Sequence, residues 1–96
     1  DEHTTTEGLR QLRSQIDELD NQLMDLLAKR MRVCREIGTY KKEHNMTVLQ
    51  ATRYNEILEK RGAQASLCGM NPEFAAQVFE HIHEESVRQQ LDIVNQ

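Results

Sequence analysis

The sequence predicts an all-α domain of three helices, and two features carry that expectation. Leu, Glu, Gln, Arg, Lys, Met and Ala dominate a 96-residue chain with one proline and four glycines, a composition of helix formers. Val, Ile, Thr, Tyr and Phe gather into no alternating run longer than Thr47-Val48-Leu49, so a sheet has nothing to build from. Apolar residues are 38% and aromatics 4%. A core built by one copy is therefore expected to be thin, and small domains of this kind often gain burial by association.

The first helix is expected from about Thr5 to His44, opened by a capping box at Thr4-x-x-Glu7, in which hydroxyl and carboxylate each satisfy an orphan amide. Leu9, Leu12, Ile16, Leu19, Leu23, Leu26, Arg30, Val33, Ile37 and Tyr40 then alternate three and four residues apart, a heptad seam with Arg30 as its one charged member. Met24, Leu27, Met31 and Cys34 form a second stripe beside it, so the apolar face is broad. Such a helix is ~60 Å long at 1.5 Å per residue, whereas a compact globule of this size is only ~32 Å across. A second protomer is the simplest way to bury the overhang.

His44-Asn45-Met46-Thr47 breaks the pattern. Ala51, Tyr54, Ile57, Leu58 and Arg61 mark a short second helix, expected to stop at Gly62, with a loop through Ser66–Met70. Asn71-Pro72 reads as N-cap and first position of a long third helix, with Phe74, Val78, Phe79, Ile82, Val87, Leu91 and Val94 as its apolar positions.

Twelve basic against sixteen acidic residues give a net charge of −4, which points to neither nucleic acid nor an anionic membrane as partner. No apolar run approaches the ~20 residues of a membrane span, and the polar DEHTTTEGL start is not a signal sequence. A cytoplasmic protein is expected. Cys34 and Cys68 form no CxxC pair and read as free thiols, with Cys34 in the packing stripe. The start at Asp1, without an initiator Met, raises the expectation that residues 1–96 are one domain cut from a longer polypeptide.

Charges stand where apolar residues are due. Arg30 occupies the seam between Leu26 and Val33, where an unpaired guanidinium is expensive to bury. By itself it reads equally well as a core-edge arginine that snorkels. Lys41 follows after 11 residues, within ~20° of the same face and ~16 Å further along the axis, which leaves room for a small anion between the two cations. Gly38 lies between them; its missing side chain either opens space or allows a close helix crossing. On the third helix the apolar stripe continues into Ser86 and Gln90, stacked at i and i+4. Arg53 alone is an ordinary solvated charge. The combination of Arg30, Lys41, Arg53, Ser86 and Gln90 suggests a site.

These residues resemble the all-helical (type II) chorismate mutases. The likeness runs through Leu9-x-x-x-Arg13-x-x-Ile16-Asp17-x-x-Asp20, Leu26-Leu27-x-x-Arg30, Ile37-Gly38-x-x-Lys41, Arg53 and Glu85-Ser86-x-x-x-Gln90. The resemblance implies that Arg13, Arg30 and Arg53 hold the two carboxylates of chorismate, that Lys41 and Gln90 bond its ether oxygen, and that Ser86 stands at the site wall. It implies an intertwined homodimer in which Arg13 enters the partner's site. Gln50 and Tyr54 depart from the pattern, standing where many relatives have acidic residues near the substrate hydroxyl; Gln50 still donates and accepts hydrogen bonds. Thr47–Gln50 with Tyr54–Leu58 looks most like mutase domains fused to 3-deoxy-7-phosphoheptulonate (DAHP) synthase.

The implied rearrangement of chorismate to prephenate breaks one C–O bond as one C–C bond forms, so no nucleophile, metal or cofactor is expected. A chair-like geometry and positive charge at the ether oxygen are what the protein must supply. His81 and His83, at i and i+2, point apart on a helix and read as surface or core-edge residues rather than as a metal pair. Two other readings compete: an isochorismate pyruvate lyase of the same fold, and a noncatalytic dimerisation or regulatory module. The second gains nothing from Arg30 and Lys41.

Overall fold

The computed structural model describes residues 2–96, with side chains from residue 6 onward. Three helices follow one another, α1 (Glu2–Glu43), α2 (Ala51–Leu67) and α3 (Pro72–Val94), and no strand occurs among the described residues. The all-α expectation and the order of long, shorter and long helices hold. The chain divides into two compact units, Asp1–Arg30 and Met31–Gln96.

The first unit is helix alone. Its Leu9, Leu12, Ile16, Leu19, Leu23, Met24 and Leu26 are 45–65% exposed, so the seam is formed on the helix and open to solvent. The capping box does not start this helix. α1 already begins at Glu2, placing Thr4 inside it; neither glycine nor proline stands upstream to stop the extra turn, and the side chain of Thr4 lies outside the described residues.

In the second unit the end of α1 and the helices α2 and α3 build a small core of Cys34, Val48, Ala65 and Ala75, with no large side chain completely buried among the described residues. Two chain reversals shape it, and both use the same device. After α1, Asn45 adopts φ 53°, while Met46 N–H donates to the Lys41 carbonyl at 2.8 Å and Asn45 N–H to Lys42 at 3.4 Å. After α2, Gly69 adopts φ 72°, with Met70 N–H donating to Ala65 at 2.8 Å and Gly69 N–H to Ser66 at 3.4 Å. Each is a Schellman end, in which one left-handed residue lets two amides satisfy carbonyls of the last turn.

The expected stop at Gly62 is a correction: α2 runs through it to Leu67. An interior glycine costs about 1 kcal/mol relative to alanine, but Ala63, Gln64 and Ala65 continue the helix, and Ala65 is buried. The residue that terminates α2 is Gly69, where the backbone enters the left-handed region. α3 starts as expected, with the Asn71 side chain accepting from Glu73 N–H at 3.0 Å and Pro72 in the first turn.

Candidate active site

Lys41 lies in the last turn of α1, and the reversal at Asn45 folds the following segment back over it. The Lys41 Nζ donates to the Val48 carbonyl at 2.9 Å and to Gln90 Oε1 at 2.8 Å. Val48 is itself buried, which fixes that carbonyl. An ammonium has donors only, so the Gln90 amide must turn its oxygen to Lys41 and its Nε2 donors away. One Lys41 proton and the Gln90 amide protons are not used by these two bonds. Burial lowers the Lys41 pKa from its ordinary 10.5, and charge interaction with Cys34 opposes that shift.

Ser86 and Gln90 are 4% and 7% exposed, the two buried polar residues of the chain's described part. Neither marks a point where α3 emerges into solvent. Ser86 Oγ donates to the Ile82 carbonyl at 2.7 Å, one turn before Gln90 on the same face. Gly38 resolves as a crossing rather than an opening: a Cβ there would lie 3.1 Å from Gln90 Cα and 3.2 Å from both Gln90 O and Ile93 Cβ. Cys34 is buried and unbridged.

The remaining expected residues are less gathered. Arg53, its side chain 66% exposed, stands 3.7 Å from Glu56. Gln50 is exposed, and its Nε2 donates to the Thr47 carbonyl at 3.3 Å. With Leu49, Ala51, Tyr54 and His83 it lines an open recess of about 400 Å³. Tyr54 packs against His83 with ring centroids 4.3 Å apart and the rings tilted by 31°, a pairing without a sequence signal because the rings sit on different helices. In the first unit, Arg30 is half-buried, and Arg13 lines a shallow recess with Thr6, Leu9, Arg10, Ser14 and Asp17.

Behind the site, Glu85 is held by Arg88 and Gln89. Their hydrogen bonds lower its pKa from 4.5 to about 2. Arg35 of α1 donates to Gln89 at 3.3 Å. The carboxylate nearest Ser86 in sequence is thereby committed to its own helix. Among the described residues no group of three or more His, Cys, Asp or Glu is able to hold a metal and no helix is long and apolar enough to cross a membrane.

A lysine and an amide locked together between two helices is a donor pair for an oxygen that gains charge. The family model for type II chorismate mutases matches residues 12–91. The chain belongs to that family. It is 32% identical over 81 residues to the T-protein of Enterobacter agglomerans, covering 84% of this chain and 22% of that protein. It is 29% identical over 83 residues to the 4-amino-4-deoxychorismate mutase of Streptomyces pristinaespiralis, 86% of this chain and 64% of that one. It is 30% identical over 83 residues to the bifunctional chorismate mutase/prephenate dehydratase of Buchnera aphidicola, covering 86% of this chain and 22% of the relative. This mutase-family chain thus spans about a fifth of the T-protein and bifunctional relatives. Type II mutase sequence therefore occurs inside longer polypeptides, as well as in proteins nearer its own length.

Proposed function

We propose that this domain isomerises chorismate to prephenate by a concerted rearrangement, serving aromatic amino-acid biosynthesis in the cytoplasm. The observation that carries the reading is the Lys41–Gln90 pair, whose amide orientation is dictated by the ammonium. In the reacting molecule the breaking ether C–O bond leaves electron density on oxygen. Lys41 meets it as a charge and Gln90 Nε2 as a second, neutral donor, both fixed before the reaction begins. Arg13, Arg30 and Arg53 hold the two carboxylates, since guanidinium forks fix direction as well as position. Ser86 and Gln50 complete the lining. The reaction needs no cofactor and no metal.

The active unit in this reading is an intertwined homodimer, with Arg13 supplied by the partner. The exposed leucine seam of α1 supports it: single exposed apolar residues are commonplace, but a contiguous row of this length is a contact surface. Residues 1–96 act as one mutase domain, and the Thr47–Gln50 and Tyr54–Leu58 segments favour a DAHP synthase as the fused or associated partner.

The test is turnover by this chain alone, followed by loss of chorismate absorbance, with phenylpyruvate formed on acid treatment of the product. Consumption of isochorismate with release of pyruvate, and none of chorismate, would assign the lyase reaction instead. Inertness toward both would leave a dimerisation module.

A further inference from the structure

We propose that Gly38 is a positioning residue, setting the spacing of α1 and α3 that allows Lys41 and Gln90 to act on one oxygen; this rests on the assignment of that pair to the reaction. Gly38 lies one turn before Lys41 and directly opposite Gln90. The atoms that a Cβ would meet are Gln90 Cα at 3.1 Å, Gln90 O at 3.2 Å and Ile93 Cβ at 3.2 Å. All three belong to the backbone of α3 or are attached directly to it, so none is the free end of a side chain that turns aside. A methyl group here moves α3 itself by a few tenths of an ångström.

That displacement falls on the residue whose side chain is read by Lys41. The carbonyl of the buried Val48 also holds the Lys41 ammonium, at 2.9 Å, and so resists its following Gln90. The Lys41–Gln90 bond at 2.8 Å then lengthens or tilts, and the two donors no longer aim at a common point. Helix preference does not account for a glycine at this position, since alanine would favour α1. Gly62 supplies the contrast: it too lies within a helix, but a Cβ there meets nothing within 4 Å.

Gly38→Ala and Gly62→Ala are compared by steady-state chorismate turnover and thermal melting. The expected result is a fall in kcat of ~10- to 100-fold for Gly38→Ala, the scale on which small misplacements act, with KM within about threefold of wild type because the arginines are untouched. Gly62→Ala keeps wild-type kcat. In a Gln90→Ala background, adding Gly38→Ala lowers kcat less than about twofold further, since the pair it misaligns is already broken. Wild-type kcat in folded Gly38→Ala, or multiplying losses in the Gln90→Ala background, would overturn the proposal. The side-chain amide resonances of Gln90, followed by ¹⁵N NMR, shift in Gly38→Ala and not in Gly62→Ala. Unshifted resonances overturn the proposal as well. A wild-type chain that turns over no chorismate defeats the assigned reaction, and the NMR comparison still decides the spacing.

Discussion

The Lys41 ammonium carries three protons, and Val48 and Gln90 take two of them. What remains is one aimed donor with a full charge behind it, and removing such a donor typically costs ~10²–10³ in turnover. Lys41→Ala and Arg30→Ala are expected to stay helical by circular dichroism and to lose activity on that scale. Near-normal turnover in either would remove it from the site. Burial disfavours the Lys41 charge and lowers its pKa below 10.5, and only the protonated form is useful. The activity kcat/KM should therefore decline, as pH rises, below the ordinary lysine range, with the cation form lost rather than gained. Gln90→Glu reverses the sign of the acid side. The ionised glutamate accepts from Lys41 but donates nothing, and the adjacent cation resists its protonation. Activity of that variant should appear only toward acid, and an unaltered pH profile would take Gln90 off the ether oxygen. Lys41, Ser86 and Gln90 were legible in the sequence because polar groups stood on helix faces where apolar ones were due. The Val48 carbonyl was not, since a backbone acceptor has no residue type to announce it.

Helix ends, more than helix interiors, decide where these side chains meet. Asn71 caps α3 through a single accepted bond from Glu73 N–H; Asn71→Ala should lower stability by about 1 kcal/mol, read as a shift in denaturant midpoint, with kcat retained once folded. Gly69→Ala places a Cβ on a φ of 72° and should destabilise by about 1 kcal/mol or more. Gly62→Ala, at ordinary helical geometry with open space around it, should stabilise by up to about 1 kcal/mol. Equal effects at the two glycines would contradict the assignment of Gly69 as terminator. These opposite signs explain the misplaced end of α2. A glycine in sequence announces permission for a left-handed backbone, and both Gly62 and Gly69 had it; the choice was made by Ala65, whose burial rewards continuing the helix past Gly62. The capping box at Thr4 failed similarly, because α1 had two further residues willing to be helical. Asn71-Pro72 succeeded because a cap side chain and a fixed φ agree on one start.

A single copy leaves the leucine row of Asp1–Arg30 exposed while a polar pair is buried in Met31–Gln96, and the proposed dimer would cover that row. If the cover is a second copy and Arg13 works across it, each site needs Lys41 from one protomer and Arg13 from the other. Arg13→Ala and Lys41→Ala proteins, each inactive alone, can be unfolded together and refolded as an equal mixture. Every mixed dimer then contains one site with both residues intact and one lacking both. Random pairing makes half of the dimers mixed, so about a quarter of wild-type activity should return. Were Arg13 to serve the site of its own chain, each protomer would carry one lesion in its own site, and no pairing would restore it. Separating the mixed species with a charge tag on one variant removes dependence on the pairing ratio: purified mixed dimers should show half of wild-type activity per dimer. Mixed dimers without activity would eliminate the shared site while leaving the mutase assignment standing, because that assignment is tested by turnover of the unaltered chain.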